Sequence, residues 1–332
     1  MPRILLTGGS GFIAAHILDT LLQRGHSVVT TVRSGIKGQR ILDAYPENAG
    51  STLDYVNVED IEQPGAFDKA VISEPPFDFV IHTASPYHFK SQDNQKELLG
   101  PAVNGTIGLL ESIVKNAPSV KRVVITSSSA AILDPSQPTK VYSEADWCPI
   151  TKEQALLGPA NGYRASKTFA KSSTAMLSLG CIGNGPHGDV TRPLVLGPVL
   201  HHLDSLAQLN TSNQRIRDLM TGAARDACPP TGNHLFVDVR DLAMGHALAA
   251  ERPDAAGRRF FMVGAASPTR RSPRSWLPIA TSHWQGAGAG DYPSQGSYGF
   301  DNSVSKRVLG MTYRPLRESV ADAVTSLQRF LA

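Results

Sequence analysis

Tyr163 and Lys167 stand four residues apart in the run YRASK, a spacing that puts both side chains on one face of a helix. A tyrosine phenol ordinarily ionises near pH ~10, too high for a ready proton relay at neutral pH. An ammonium one turn away favours the phenolate, lowers that pKa, and can also hold a ribose. Ser127, Ser128 and Ser129 follow an apolar run earlier in the chain. A serine hydroxyl beside the tyrosine would fix a substrate carbonyl oxygen as charge develops on it. Such a set reduces a carbonyl: hydride reaches the carbon while Tyr163 delivers the proton. A lone Tyr-x-x-x-Lys is also an ordinary pair on a helix surface, so the reading depends on what else the chain carries.

The opening residues, MPRILLTGGSGFIA, offer a place for the hydride carrier. An apolar run from Ile4 to Thr7 meets Gly8-x-x-Gly11-x-x-Ala14, and Ile13, Ile17, Leu18, Leu21 and Leu22 follow at helical spacing. Strand, tight turn and helix form the context in which such glycines bind a dinucleotide. Gly8 permits the turn, Gly11 lets the backbone approach a pyrophosphate, and Ala14 leaves room for helix against sheet. The N–H groups at the helix start then face the phosphates. The alternative is a glycine-rich turn with no ligand.

The next strand, VVTTVR at residues 28–33, ends in Arg33, with Lys37 four residues on. An NAD site places an acid there to bind ribose hydroxyls, whereas two cations match a 2′-phosphate. The pair therefore points to NADP(H), unless both are solvated loop charges. A third strand is expected near Leu53 to Val56. Asp60 and Ile61 follow on a turn that could pass beside an adenine, where Asp60 would accept from the amino group or simply be solvated. The fourth strand, Phe79 to His82, ends in the small residues Thr83, Ala84 and Ser85, as a ligand lying across the carboxyl ends of parallel strands requires.

Beyond these, residues 101–115 read as a helix, 120–131 as a fifth strand running into the serines, and 303–309 and 316–331 as helices. Residues 180–189 are too glycine-rich for a helix interior and read as a loop; 266–298 have no period and read as surface loop or poorly ordered chain. The alternation predicts an α/β protein with a Rossmann-type doubly wound parallel sheet and a smaller C-terminal substrate lobe. Residues 1–190 would be mainly the cofactor domain, and 191–332 the lobe interleaved with returning sheet elements. A chain of 332 residues is long enough for both. With 18% charged residues and a net charge of +3, nothing demands nucleic acid or a membrane surface, and no metal-ligand cluster stands out. Cys148, Cys181 and Cys228 form no C-x-x-C and fit a reducing compartment. With no leader and no long apolar run, a cytoplasmic location is expected.

Taken together, the motifs resemble an extended short-chain dehydrogenase/reductase. Within that superfamily the chain is most similar to fungal NADPH-dependent aldehyde and ketone reductases of the methylglyoxal/isovaleraldehyde type. Plant dihydroflavonol and cinnamoyl-CoA reductases are more distant. The resemblance implies that Gly8 and Gly11, with the N–H groups of Phe12 and Ile13, take the pyrophosphate. It puts Arg33 and Lys37 on the 2′-phosphate, Asp60 and Ile61 at the adenine, and Thr83, Ala84 and Ser85 on the nicotinamide side. Ser128 becomes the family serine, Tyr163 the proton donor and Lys167 its partner. Pro193 and Val195, in RPLVLGP, would stand by the carboxamide, and residues 236–246 would open the substrate lobe. The likeness covers residues 1–176, 190–263 and 299–332, and departs at the two irregular stretches. The expected activity is reversible NADPH-dependent reduction of an aldehyde or ketone, apolar or secondary-metabolite-like, by a monomer or weak homodimer. Three alternatives stay open. A sugar-nucleotide epimerase uses the same Tyr-Lys pair but needs a diphosphate site, for which the C-terminal half has no convincing basic set. A hydroxysteroid or dihydroflavonol-type dehydrogenase differs only in substrate, and a non-enzymatic NADP(H) sensor would have no need of Tyr163.

Overall fold

A computed structural model of the chain describes residues 1–85, 91–178, 188–223, 234–266 and 298–330. Strand β1 (Arg3–Thr7) leads to α1 (Phe12–Gln23), β2 (Ser27–Val32), α2 (Gly35–Ala44), β3 (Leu53–Asn57) and β4 (Phe79–His82). A π-helical turn, Gln95–Leu99, runs into α3 (Gly100–Asn116). After it come β5 (Arg122–Ser128), β6 (Val141–Tyr142), α4 (Lys152–Ala155) and α5 (Pro159–Ser178). The second half holds β7 (Gly188–Arg192), β8 (Leu194–Leu196), α6 (Thr211–Met220), β9 (Leu235–Asp238), α7 (Val239–Glu251) and β10 (Arg259–Phe261). It closes with β11 (Ala265–Ala266), β12 (Gly299–Phe300), α8 (Ser303–Leu309) and α9 (Leu316–Gln328).

Seven parallel strands form the main sheet in the order β10-β7-β5-β4-β1-β2-β3. Strands buried on both faces read as continuous apolar runs, and Ile4, Leu5 and Leu6 are all fully buried. Alternation along β1 sends Ile4 and Leu6 to one face, among Ile17, Leu18 and Leu21 of α1 and Leu242 of α7. Leu5 goes to the other, among Leu109, Leu110 and Ile113 of α3. The strand order reverses at β1, with β2 on one side and β4 on the other, so a crevice opens at the carboxyl ends of β1 and β4. A smaller sheet, β11-β9-β8, lies with α6 and α9, whose Ile216, Val320, Val324 and Leu327 form a separate apolar cluster.

Several expected boundaries shift. The second strand stops at Val32, which leaves Arg33 just outside it. The fifth spans Arg122–Ser128 and gives way to a 3₁₀ turn at Ser129–Ala131. The loop expected over 180–189 is corrected at its end: Gly188 and Asp189 already belong to β7, because β5 and β10 supply hydrogen-bonding partners on both sides. Residues 180–187 lie outside the described residues. So do 267–297 of the irregular stretch expected at 266–298; Ala266 ends β11 and Tyr298 precedes β12. The last helix ends at Gln328.

Candidate active site

The turn after β1 is built for close approach. Gly8 has φ +77°, which favours glycine. A Cβ on Gly9 would fall 2.0 Å from Thr30 Oγ1, so the turn can press against β2 only without a side chain. Gly11 N–H donates to Gly8 O (2.9 Å), and the first helical bond runs from Ala15 N–H to Gly11 O (2.9 Å). The N–H groups of Phe12 and Ile13 are therefore not used inside the helix, and both residues line a groove of about 470 Å³.

That groove gathers most of the residues expected from the sequence. Gly8, Gly11, Phe12, Ile13, Arg33, Lys37, Ile61, Thr83, Ala84, Ser85, Lys167 and Val195 all border it. Arg33 and Lys37 are exposed at the end of β2 and in the first turn of α2, and neither forms an ion pair among the described residues. Asp60 does not line the groove. Its carboxylate accepts from Glu62 N–H (2.9 Å) and Gln63 Nε2 (2.8 Å), which hold its pKa below the usual range, with a smaller contribution from Arg33. Pro193 is buried at the junction of β7 and β8, where the chain leaves the main sheet for the smaller one.

Tyr163 and Lys167 lie on α5 and are 5% and 8% exposed. Lys167 Nζ is 5.8 Å from the centroid of the Tyr163 ring and donates to Ser85 Oγ at 2.7 Å. Burial, reinforced by the Arg192 guanidinium, pushes its pKa down to about 7. Lys167 thus gives up its proton more readily than an exposed lysine. Ser128 ends β5, and its hydroxyl accepts from Ala130 N–H (3.2 Å), capping the short turn that packs against α5. The serine and the Tyr-Lys helix are brought together; the serine is not part of the groove lining.

Sequence comparison then places the chain. The NAD dependent epimerase/dehydratase family matches residues 4–177. The chain belongs to this family. It is 44% identical, over 98% of its length and 97% of the relative's, to the ketoreductase azaE of Aspergillus niger. It is 32% identical over 98% of both chains to the NADPH-dependent methylglyoxal reductase GRE2 of Saccharomyces cerevisiae. The crystal structure of Gre2 from Candida albicans with NADPH superposes with a TM-score of 0.86 at 30% identity, covering all of both chains.

Other residues that position the site of this epimerase/dehydratase-family chain carry no sequence motif. Thr7 Oγ1 accepts from Thr83 N–H (3.0 Å) and Ala84 N–H (3.1 Å) and donates to His82 Nδ1 (2.8 Å). Burial pushes the His82 pKa down to about 3, so the ring is neutral. Asn94 donates to the carbonyls of Ala155 (2.9 Å) and Gly158 (2.8 Å), tying the turn before α3 to the start of α5. Gly162 leaves room for it, since a Cβ there would come within 2.4 Å of Asn94 Cγ. On β5, Thr126 borders the groove and pairs with His246 Nε2 at 2.8 Å; His246 Nδ1–H donates to Leu242 O. The one available signal was that Thr7 and His82 each end a strand; Thr126 lies inside β5 and carried none. Among the described residues no helix is long and apolar enough to cross a membrane, and no cluster could hold a metal ion.

Proposed function

We propose that this chain reduces an aldehyde or ketone to the alcohol, reversibly, with NADPH as hydride donor. The observation that carries the reading is the charge along one groove. Arg33, Lys37, Lys167 and Arg192 line it and, among the described residues, no carboxylate does. A polyanionic dinucleotide fits such a lining, and the absence of an acid at the end of β2 favours one with a 2′-phosphate. The ketoreductase and methylglyoxal reductase names of the relatives, and the NADPH complex among the similar structures, support the same reading.

On this reading Gly8 and Gly11, with the N–H groups of Phe12 and Ile13, take the pyrophosphate, while Arg33 and Lys37 hold the 2′-phosphate. Ile61 packs on the adenine and Asp60 accepts from its amino group. Thr83, Ala84, Ser85, Pro193 and Val195 flank the nicotinamide end. When bound, NADPH supplies the hydride. Ser128 donates to the substrate carbonyl oxygen as negative charge gathers there, Tyr163 gives that oxygen a proton, and Lys167 steadies the phenolate left behind. The substrate on this reading is a small carbonyl compound of apolar or secondary-metabolite-like character.

NADPH oxidation by the purified protein, with aldehydes, α-dicarbonyls, β-ketoesters and cyclic ketones and then again with NADH, tests this. No turnover with any carbonyl, or equal kcat/KM for the two cofactors, contradicts it. The same reading makes residues 1–190 mainly the cofactor domain and 191–332 the substrate lobe with its returning sheet elements. It expects a cytoplasmic monomer or weak homodimer without nucleic acid or membrane partners, checked by cell fractionation and sedimentation.

A further inference from the structure

Lys167 borders two spaces. One is the cofactor groove; the other is a small cavity of about 20 Å³ whose lining includes His82, Ser127, Lys171 and Asp189. A water needs roughly 10–15 Å³ of such space and a few polar partners, so the cavity takes one water and little else. Ser127 is 4% exposed, and its hydroxyl has no hydrogen-bond partner among the described residues. Buried hydroxyls are rarely left in that condition.

Lys171 follows Lys167 by one turn of α5 and is 4% exposed. Its Nζ lies 3.4 Å from Asp189 Oδ2 and 3.5 Å from Thr191 Oγ1 on β7, and 4.9 Å from the centroid of the Trp147 ring. Burying an ion pair is a weak source of stability, so this one calls for another explanation. The Asp189 side chain is 11% exposed and Trp147 42%, which sets the pair between the cavity and the surface. Burial pushes the Lys171 pKa down to about 8, against the pull of Asp189, so its proton is loosely held.

The proton that Tyr163 gives to each substrate must be replaced from solvent, although Tyr163 and Lys167 are both buried. We propose that one water in this cavity, held by Ser127 Oγ, links Lys167 to the Lys171–Asp189 pair, and that the pair returns the proton used in each turnover. The inference rests on the roles given to Tyr163 and Lys167 above. The Tyr163 phenolate takes a proton from the Lys167 ammonium. The resulting amine takes one from the water as the water takes one from the Lys171 ammonium. Lys171, beside the Asp189 carboxylate, is reprotonated from solvent. One solvent proton is consumed and no electron moves along the path. Lys171 is a positioning residue, since it acts through Lys167 and touches no reacting atom.

Lys171→Met combined with Asp189→Asn removes both charges and leaves no buried ion unpaired. In that variant NADPH Kd stays within about twofold of wild type, kcat falls roughly tenfold or more, and the solvent deuterium isotope effect on kcat grows. Lys171→Arg keeps a cation beside Asp189 but does not release its proton at working pH, so it shows the same kcat loss with thermal stability retained. Ser127→Ala removes only the hydroxyl, lowers kcat in the same direction, and decides the matter should the double variant not fold. Wild-type kcat and isotope effect in the folded double variant and in Ser127→Ala would overturn the relay and leave the pair a structural one. A wild-type protein without NADPH-dependent turnover overturns the parent reading and this one together. An active wild type with indifferent variants removes this one alone.

Discussion

Lys167 Nζ donates to Ser85 Oγ at 2.7 Å, across 82 residues of sequence. The bond ties α5, which carries the proton chemistry, to the segment after β4 that borders the cofactor groove. Thr7 holds Thr83 and Ala84 of that segment, so the groove wall and the Lys167 side chain share one set of supports.

Tyr163→Phe removes only an ionisable hydroxyl from a buried ring. Cofactor binding should stay near the wild-type value while turnover drops ~10²–10⁴-fold. Lys167→Ala should weaken both, because Lys167 borders the groove as well as the tyrosine. Fluorescence titration with NADPH and steady-state rates separate the two outcomes. More than half of the wild-type rate in Tyr163→Phe on every accepted carbonyl would rule out the proton-donor role.

The depressed pKa of Lys167 fixes the direction of a pH effect. Below about 7 the side chain is an ammonium, and above it an amine. Reduction needs the proton, so kcat/KM for carbonyl reduction should fall as pH rises through that value in the free enzyme. Arg192 disfavours the ammonium, and Arg192→Met should therefore carry the falling limb to higher pH. A limb unmoved by the substitution would show that another group controls it.

Arg33→Asp exchanges a phosphate partner for a ribose-hydroxyl acceptor that repels phosphate. The kcat/KM preference for NADPH over NADH should reverse, with KM for NADPH rising roughly 10–100-fold, the size expected for a lost charge-assisted contact. An unchanged ratio of kcat/KM for the two cofactors would remove Arg33 from the 2′-phosphate site.

Thr7 is fully buried. Thr7→Val keeps its shape but leaves Thr83 N–H, Ala84 N–H and His82 Nδ1 without their shared partner. The expected loss is roughly 2–4 kcal/mol in urea unfolding, since each unsatisfied buried group is costly. KM for NADPH should also rise, because Ala84 packs against Gly8. Thr7→Ser restores the hydroxyl and most of the stability; equal losses in the two variants would show that the methyl group, and not the hydrogen bonds, matters.

The parts of the site legible in the sequence were those whose meaning is local. Gly8 and Gly11 share one turn, Arg33 and Lys37 one strand end, and Tyr163 and Lys167 one helix face. The alternation of strand and helix similarly revealed the parallel sheet. What stayed hidden depends on strand register. Thr7 meets His82 because β1 and β4 pair those two residues directly, and no local pattern announces a partner 75 residues away. Asn94 looks like any loop asparagine until α4 and α5 are placed above it. Gly188 and Asp189 looked like loop because glycine is a poor strand former alone, and pairing on both sides overrides that preference. The depressed pKa of Lys167 is hidden for a related reason, since burial is a property of the packed molecule.

The pairing of β10 with β7 bears on how the protein is made. Every site residue expected from the sequence has been synthesised by Val195, yet the outer edge of β7 waits for Arg259, Phe260 and Phe261. At ordinary rates of synthesis that interval lasts on the order of several seconds. Throughout it the nascent chain presents one unpaired edge of the strand Gly188–Arg192, which carries the proposed relay residue Asp189. A shortened chain that keeps all the site residues but stops before β10 should therefore sediment with the insoluble fraction, where the full chain stays in solution. Chaperone demand during synthesis, and not chemistry, would then set how much active protein a cell obtains.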